Sequence, residues 1–108
     1  MALRLSPRAQ AGMTSWLIGA ALFFSRRFAE AIPRLRVAIE DTPGFQTPYR
    51  FLAACYAHVG LLDEARATIA RLRAITPEVM VSYQLPFRDP RHRELYLSGL
   101  RLALSDTS

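Results

Sequence analysis

Apolar residues in this 108-residue chain recur at helical spacing. Ile18, Gly19 and Leu22 fall at i, i+1 and i+4, and Ala31, Leu35 and Ala38 at i, i+4 and i+7, with Ser25-Arg26-Arg27 as a break between them. The pattern then repeats: Leu52, Ala53 and Tyr56 precede Gly60, a natural left-handed helix stop, and Ala65, Ile69 and Leu72 follow at i, i+4 and i+7. Two helical hairpins are therefore predicted, each closing at a proline, Pro43 or Pro77.

The two hairpins are copies at a fixed offset of 34 residues. Ala20/Ala54, Glu30/Glu64, Ala31/Ala65, Thr42/Thr76 and Pro43/Pro77 are identical pairs, and Ile18/Leu52, Gly19/Ala53, Leu22/Tyr56 and Leu35/Ile69 keep size and class. Small residues at the crossing points, Gly19 or Ala53 against Ala31 or Ala65, let the helix axes approach closely. Two positions strain the pattern. Arg26 stands where the second unit has Gly60, and a left-handed arginine there costs up to about 1 kcal/mol. Pro33 follows Ala31 closely enough to predict either a late helix start or a kink.

After Val79 the register fails, because a third unit would place Pro86 and Pro90 inside its first helix. A short helix over Glu78–Gln84, a loop over Leu85–Arg88 and a final helix from Asp89-Pro90 to about Leu104 are expected instead. Tyr96, Leu100 and Ala103 give the final helix one apolar face, as a helix closing the open end of a repeat stack requires. The expected organisation is one all-α domain over 1–108, with units at 12–45 and 46–79 and a closing segment at 80–104.

These residues resemble the tetratricopeptide repeat, whose 34-residue unit carries a series of large-apolar, Gly/Ala, aromatic, Gly, Ala, aromatic, Ala and Pro positions. The first unit supplies Ile18, Gly19, Leu22, Ala31, Leu35, Ala38 and Pro43; the second supplies Tyr49, Leu52, Ala53, Tyr56, Gly60, Ala65, Ile69, Leu72 and Pro77. The ends resemble one setting of such repeats, the C-terminal region of bacterial class III adenylate cyclases. The residues are Leu85-Pro86-Phe87-Arg88-Asp89-Pro90 with Glu94, Tyr96-Leu97 and Gly99-Leu100-Arg101, and at the start Leu5-Ser6-Pro7-Arg8, Trp16, Phe23-Phe24 and Arg27–Ala31. That resemblance implies a non-catalytic regulatory module. It also implies a concave groove lined by the first helix of each unit, carrying to Met13, Trp16, Ala20, Phe23 and Phe24, and to Thr47, Arg50, Ala54, Ala57 and His58. Trp16 and Phe23 would offer apolar area and Arg50 a fork for a carboxylate, suiting a peptide or protein partner. Packing of Trp16, Phe23 and Phe24 on the final helix is the competing use of the same residues. Because two units are fewer than a stable stack ordinarily needs, an upstream domain or a homodimer is also expected.

Composition narrows the function further. The chain is 51% hydrophobic and 21% charged, the make-up of one small globular domain. All 14 basic residues are arginine, with neither lysine nor asparagine present, so the net charge of +5 reads as codon bias more than as phosphate recognition. The arginines at 66, 71 and 73 and at 88, 91 and 93 lack interleaved aromatics, which leaves nucleic acid a minor alternative. Cys55 and His58 make half a zinc site with no other half, and Glu40-Asp41 and Asp63-Glu64 lack a partner base. No nucleophile elbow or phosphate loop is legible; no catalysis, metal or cofactor is expected. The longest apolar run, Trp16–Phe24, is too short to cross a membrane. With Arg4 and Arg8 before it and Ala29-Glu30-Ala31 after it, the run has the order of a secretory leader, but Arg26-Arg27 follows it directly. A small secreted helical protein is thus the lesser reading, and a lone cysteine favours the cytoplasm.

Overall fold

The computed structural model describes residues 7–76 and 89–104 and contains five helices: α1 (Pro7–Phe24), α2 (Phe28–Asp41), α3 (Thr47–His58), α4 (Leu62–Arg73) and α5 (Pro90–Leu104). The all-α expectation holds. The segments expected as a short helix over 78–84 and a loop over 85–88 lie outside the described residues.

α1 pairs with α2 and α3 with α4 as antiparallel hairpins, and both turns are built alike. In the first, Arg26 N–H donates to Phe23 C=O at 3.0 Å and Arg27 N–H to Leu22 C=O at 2.9 Å; in the second, Gly60 N–H donates to Ala57 C=O at 3.1 Å and Leu61 N–H to Tyr56 C=O at 2.8 Å. This is the Schellman pair of bonds, which needs a left-handed residue just past the helix. Gly60 takes it at φ 86 and Arg26 at φ 60, so the sequence offset of 34 reappears as an identical turn, with arginine bearing the strain in the first copy.

Close approach inside the first hairpin comes from glycine. A Cβ on Gly19 would sit 2.8 Å from the Leu35 side chain, and one on Gly12 would sit 2.9 Å from Asp41 Cβ. Of the two outcomes expected at Pro33 the late start is absent: α2 starts at Phe28 and runs through the proline to Asp41. The bond forgone is the one Pro33 would make to the carbonyl of Ala29, an exposed residue whose carbonyl water can serve.

α2, α3 and α4 bury Ala31, Leu35, Ile39, Leu52, Ala53, Cys55, Ala65, Ile69 and Leu72, and α5 adds Leu95, Tyr96, Leu97, Leu100 and Ala103. Phe51 is the hub of this core. Trp16, Phe23, Phe24 and Tyr96 all pack on its ring, with centroids 4.8, 5.0, 5.6 and 4.8 Å away. α5 opens as its sequence indicates, with Asp89 Oδ1 accepting the Arg91 N–H at 2.9 Å as a helix cap ahead of Pro90.

Candidate functional site

In a regular stack, the first helix of each unit sits on the second helix of the unit before it, and α3 does this, packing chiefly on α2 and only lightly on α1. α5 breaks the rule. It packs chiefly on α3 and less on α4, and so leans across the side of the molecule that α1 and α3 line.

Gly99 permits the shift. A Cβ there would meet Ala54 Cβ at 2.7 Å, His58 Nε2 at 2.8 Å and Ala54 Cα at 2.9 Å, so α5 touches the backbone of α3. His58 Nε2–H donates to the Leu95 carbonyl at 2.8 Å while its ring stacks on Phe28, centroids 4.9 Å apart at 13°. His92 stacks on Phe24 at 4.5 Å, and Tyr96 lies on Phe51. Burial pushes the Tyr96 phenol up to about 12, partly opposed by the nearby positive charge of Arg50.

The residues expected in the groove divide accordingly. Ala54 and Ala57 are buried, and His58 spends its ring nitrogen on α5. Arg50 is buried as well and donates to Gln46 Oε1 at 3.3 Å, so its assignment as a fork for a partner's carboxylate is corrected: a side chain 6% exposed is not on offer. Phe23 is fully buried against Phe51, Phe28 and Phe24, and is core in place of groove. At Ala54 and His58 helix α5 occupies the space a peptide would need, and at Phe23 the aromatic cluster around Phe51 does. The competing use of these aromatics, packing on the final helix, describes Phe24 against His92.

Accessible area remains on α1. Met13 is exposed, and Trp16, Ala20 and Phe24 are half-buried; Trp16 meets Phe45 and Phe51 edge-on while keeping part of its surface open. Thr47, at the start of α3, is half-buried. The residue sequence reasoning missed is Leu17, 60% exposed, the most open large apolar side chain among the described residues. Its signal was present: from Ala9 to Phe24, all of α1 but its first two residues, no residue is charged.

The remaining chemistry is structural. Cys55 is wholly buried and its thiol is pushed up to about 12 by burial, which suppresses the reactive thiolate. No three His, Cys, Asp or Glu side chains come together among the described residues as metal ligands would. Among those residues no helix is long and apolar enough to cross a membrane. Several exposed arginines are engaged locally, Arg27 with Glu30, Arg66 with Asp63, Arg91 with Asp89 and Arg101 with Glu94, so the basic surface is interrupted by carboxylates. The Arg91 contacts hold the Asp89 carboxyl below the usual carboxylate range.

Neither the curated proteins nor the solved structures compared with the chain gave a match. The family model for the tetratricopeptide repeat matches residues 23–83, more than half of the chain, taking in α2, α3 and α4 and the last two residues of α1. With that match and the paired turns at Arg26 and Gly60, the chain belongs to the tetratricopeptide repeat family, whose repeats mediate contacts between proteins.

Proposed function

We propose that this chain is a non-catalytic protein-interaction module that takes a peptide or protein partner on the first-unit half of its concave side. The observation that carries the proposal is the asymmetry of that side: α5 packs on Ala54 and His58, and Arg50 and Ala57 are buried, while Met13, Trp16, Ala20 and Phe24, on the stretch of α1 from Ala9 to Phe24 that carries no charge, keep accessible area. Half-open aromatic and thioether side chains beside small ones suit an apolar helix or extended segment that leaves water on docking. We further propose that the module is the C-terminal regulatory part of a bacterial adenylate cyclase-like multidomain protein in the cytoplasm. What supports this is the likeness of Leu85–Pro90 and its flanks to the closing segment of such proteins, together with a single cysteine kept as a buried thiol.

Two measurements test the two halves of the proposal. A photo-crosslinking residue at Met13, introduced in the source cells, is expected to capture a polypeptide that the same residue at Arg73 on α4 does not. Equal capture at both positions, or none at Met13, refutes the recognition surface. An immunoblot of the same cells against this domain is expected to show a band several times heavier than 12.2 kDa, and a band at 12.2 kDa refutes the multidomain setting.

A further inference from the structure

The two ends of the repeat stack are finished differently. At one end α5 lies over α3 and exposes Arg91, Arg93, Glu94 and Arg101 beside a single leucine, Leu102, which is the charged exterior a terminal helix needs to meet water. At the other end the outer face of α1 carries Thr14, Leu17, Ile18 and Ala21, all exposed, Leu17 at 60% and Ile18 at 37%, on a stretch without charge. That is the composition of an internal helix. At an offset of 34 the four positions correspond to Pro48, Phe51, Leu52 and Cys55 of α3, all buried. The first hairpin packs there: α2 lies on α3, and Trp16, Phe23 and Phe24 of α1 close on the Phe51 ring.

We propose that a helical hairpin preceding α1 in the same polypeptide stacks on this face, as the first hairpin stacks on α3. Its chemistry follows from the copy. The second helix of that hairpin carries an apolar row like that of α2, where Leu35, Ala38 and Ile39 are buried and Ile32 is half-buried, and its first helix sends an aromatic ring towards Leu17. The small size of the face favours an occupant on the same chain. The open part of the four side chains is on the order of 300 Å², well short of the roughly 800 Å² per partner of a free-standing complex, whereas a tethered hairpin at about millimolar effective concentration docks on less. The link into α1 is not a copy of the one into α3. Residues 8–12 are helical where the second unit has its link at 42–46, so the preceding hairpin joins α1 outside the 34-residue register.

Such a hairpin rests on the multidomain reading, to which it adds what adjoins the module; the two fail separately. A photo-crosslinking residue at Leu17 of the native protein, in its source cells, is expected to join to a segment upstream of α1 in the same polypeptide. The mass on a denaturing gel then stays unchanged and mass spectrometry identifies the joined peptides, while the same residue at Arg101 on the exterior of α5 gives no such link. Leu17→Cys is expected to react freely with a thiol reagent in the 108-residue chain and at least about tenfold more slowly in the native full-length protein, Cys55 being buried. Should that variant lose helicity by circular dichroism, Thr14→Cys on the same face supplies the same measurement. Capture of a second polypeptide from Leu17, no capture from either Leu17 or Ile18, or equal thiol reactivity in the two proteins overturns the preceding hairpin. Any of these beside a heavy immunoblot band leaves the multidomain reading standing, whereas a band at 12.2 kDa overturns both.

Discussion

Replacing Gly99 with alanine puts the seating of α5 under direct strain, and the sign of the effect is informative. In an exposed helix interior the change stabilises by about 1 kcal/mol, since alanine is the better helix former. At Gly99 the new Cβ would lie 2.7 Å from Ala54 Cβ, 2.9 Å from Ala54 Cα and 2.8 Å from His58 Nε2. Carbon atoms prefer about 3.5–4.0 Å, and two of the three neighbours belong to the middle of α3, so α5 must back away by roughly 1 Å. Overpacking of this kind costs about 1–3 kcal/mol, and the stretched bond from His58 to the Leu95 carbonyl adds about 1 kcal/mol. Set against the helix-propensity gain, the net loss is about 1–3 kcal/mol. Urea unfolding followed by circular dichroism measures it, with Gly44→Ala as the control. A Cβ on Gly44 would have no neighbouring atom within 4 Å, and the residue has no left-handed φ, so that variant should be neutral or stabilising by up to about 1 kcal/mol. If Gly99→Ala raised the midpoint as much as Gly44→Ala, α5 would not be seated on Ala54 and the account of the covered groove would be wrong.

Four other outcomes follow from the same structure. Arg26→Gly removes the strain of a left-handed arginine at an exposed turn and should raise stability by up to about 1 kcal/mol, whereas Gly60→Ala at the equivalent turn should lower it by a similar amount, both read as urea midpoints. Phe23→Ala, at a fully buried site under four aromatic neighbours, should cost about 3–5 kcal/mol and leave little folded protein in a thermal melt, while Met13→Asp should melt like the wild type. Cys55 should resist a thiol reagent at neutral pH until urea unfolds the chain, and rapid labelling of the folded protein would contradict its burial. Alkali should unfold the chain. Cys55 and Tyr96 are both pushed up to about 12, from 9.0 and 10.0, so their protonated forms favour the folded state; their contribution is whole below pH 9 and declines as the pH rises to about 12. A urea midpoint unchanged between pH 8 and pH 11 would contradict this.

The hairpins were legible because repeat spacing and turn chemistry encode the same thing twice. Gly19 and Ala53, Ala31 and Ala65 mark the crossings, and the arginine at 26 could be read as a glycine position by comparison with Gly60. The start of α5 was legible for a similar reason, since Asp89-Pro90 is a local capping signal that needs no tertiary context. The seat of α5 was not legible. Its apolar face at Tyr96, Leu100 and Ala103 shows that the helix must pack, yet packing on α4 or on α3 would satisfy that face equally. The choice is made by Gly99, Ala54 and His58, far apart in sequence, through a close backbone approach that no periodicity announces. The groove assignments at Ala54 and His58 turn on where that one helix lies. Phe23 was misplaced for a different reason: its position in the repeat puts it beside the groove, but the cluster around Phe51 draws its ring inward.

The central claim is that α5 closes over α3 and leaves α1 as the open half of the concave side. A nuclear Overhauser measurement between the Gly99 Hα protons and the Ala54 methyl group, in the intact chain, tests it most directly. The account predicts a strong cross-peak, because the two backbones approach within van der Waals contact, together with a second between Tyr96 and Phe51 ring protons. Cross-peaks from Gly99 to α4 in their place would mean that α5 continues the stack as an ordinary first helix, and that Arg50, Ala54 and His58 are open to a partner after all.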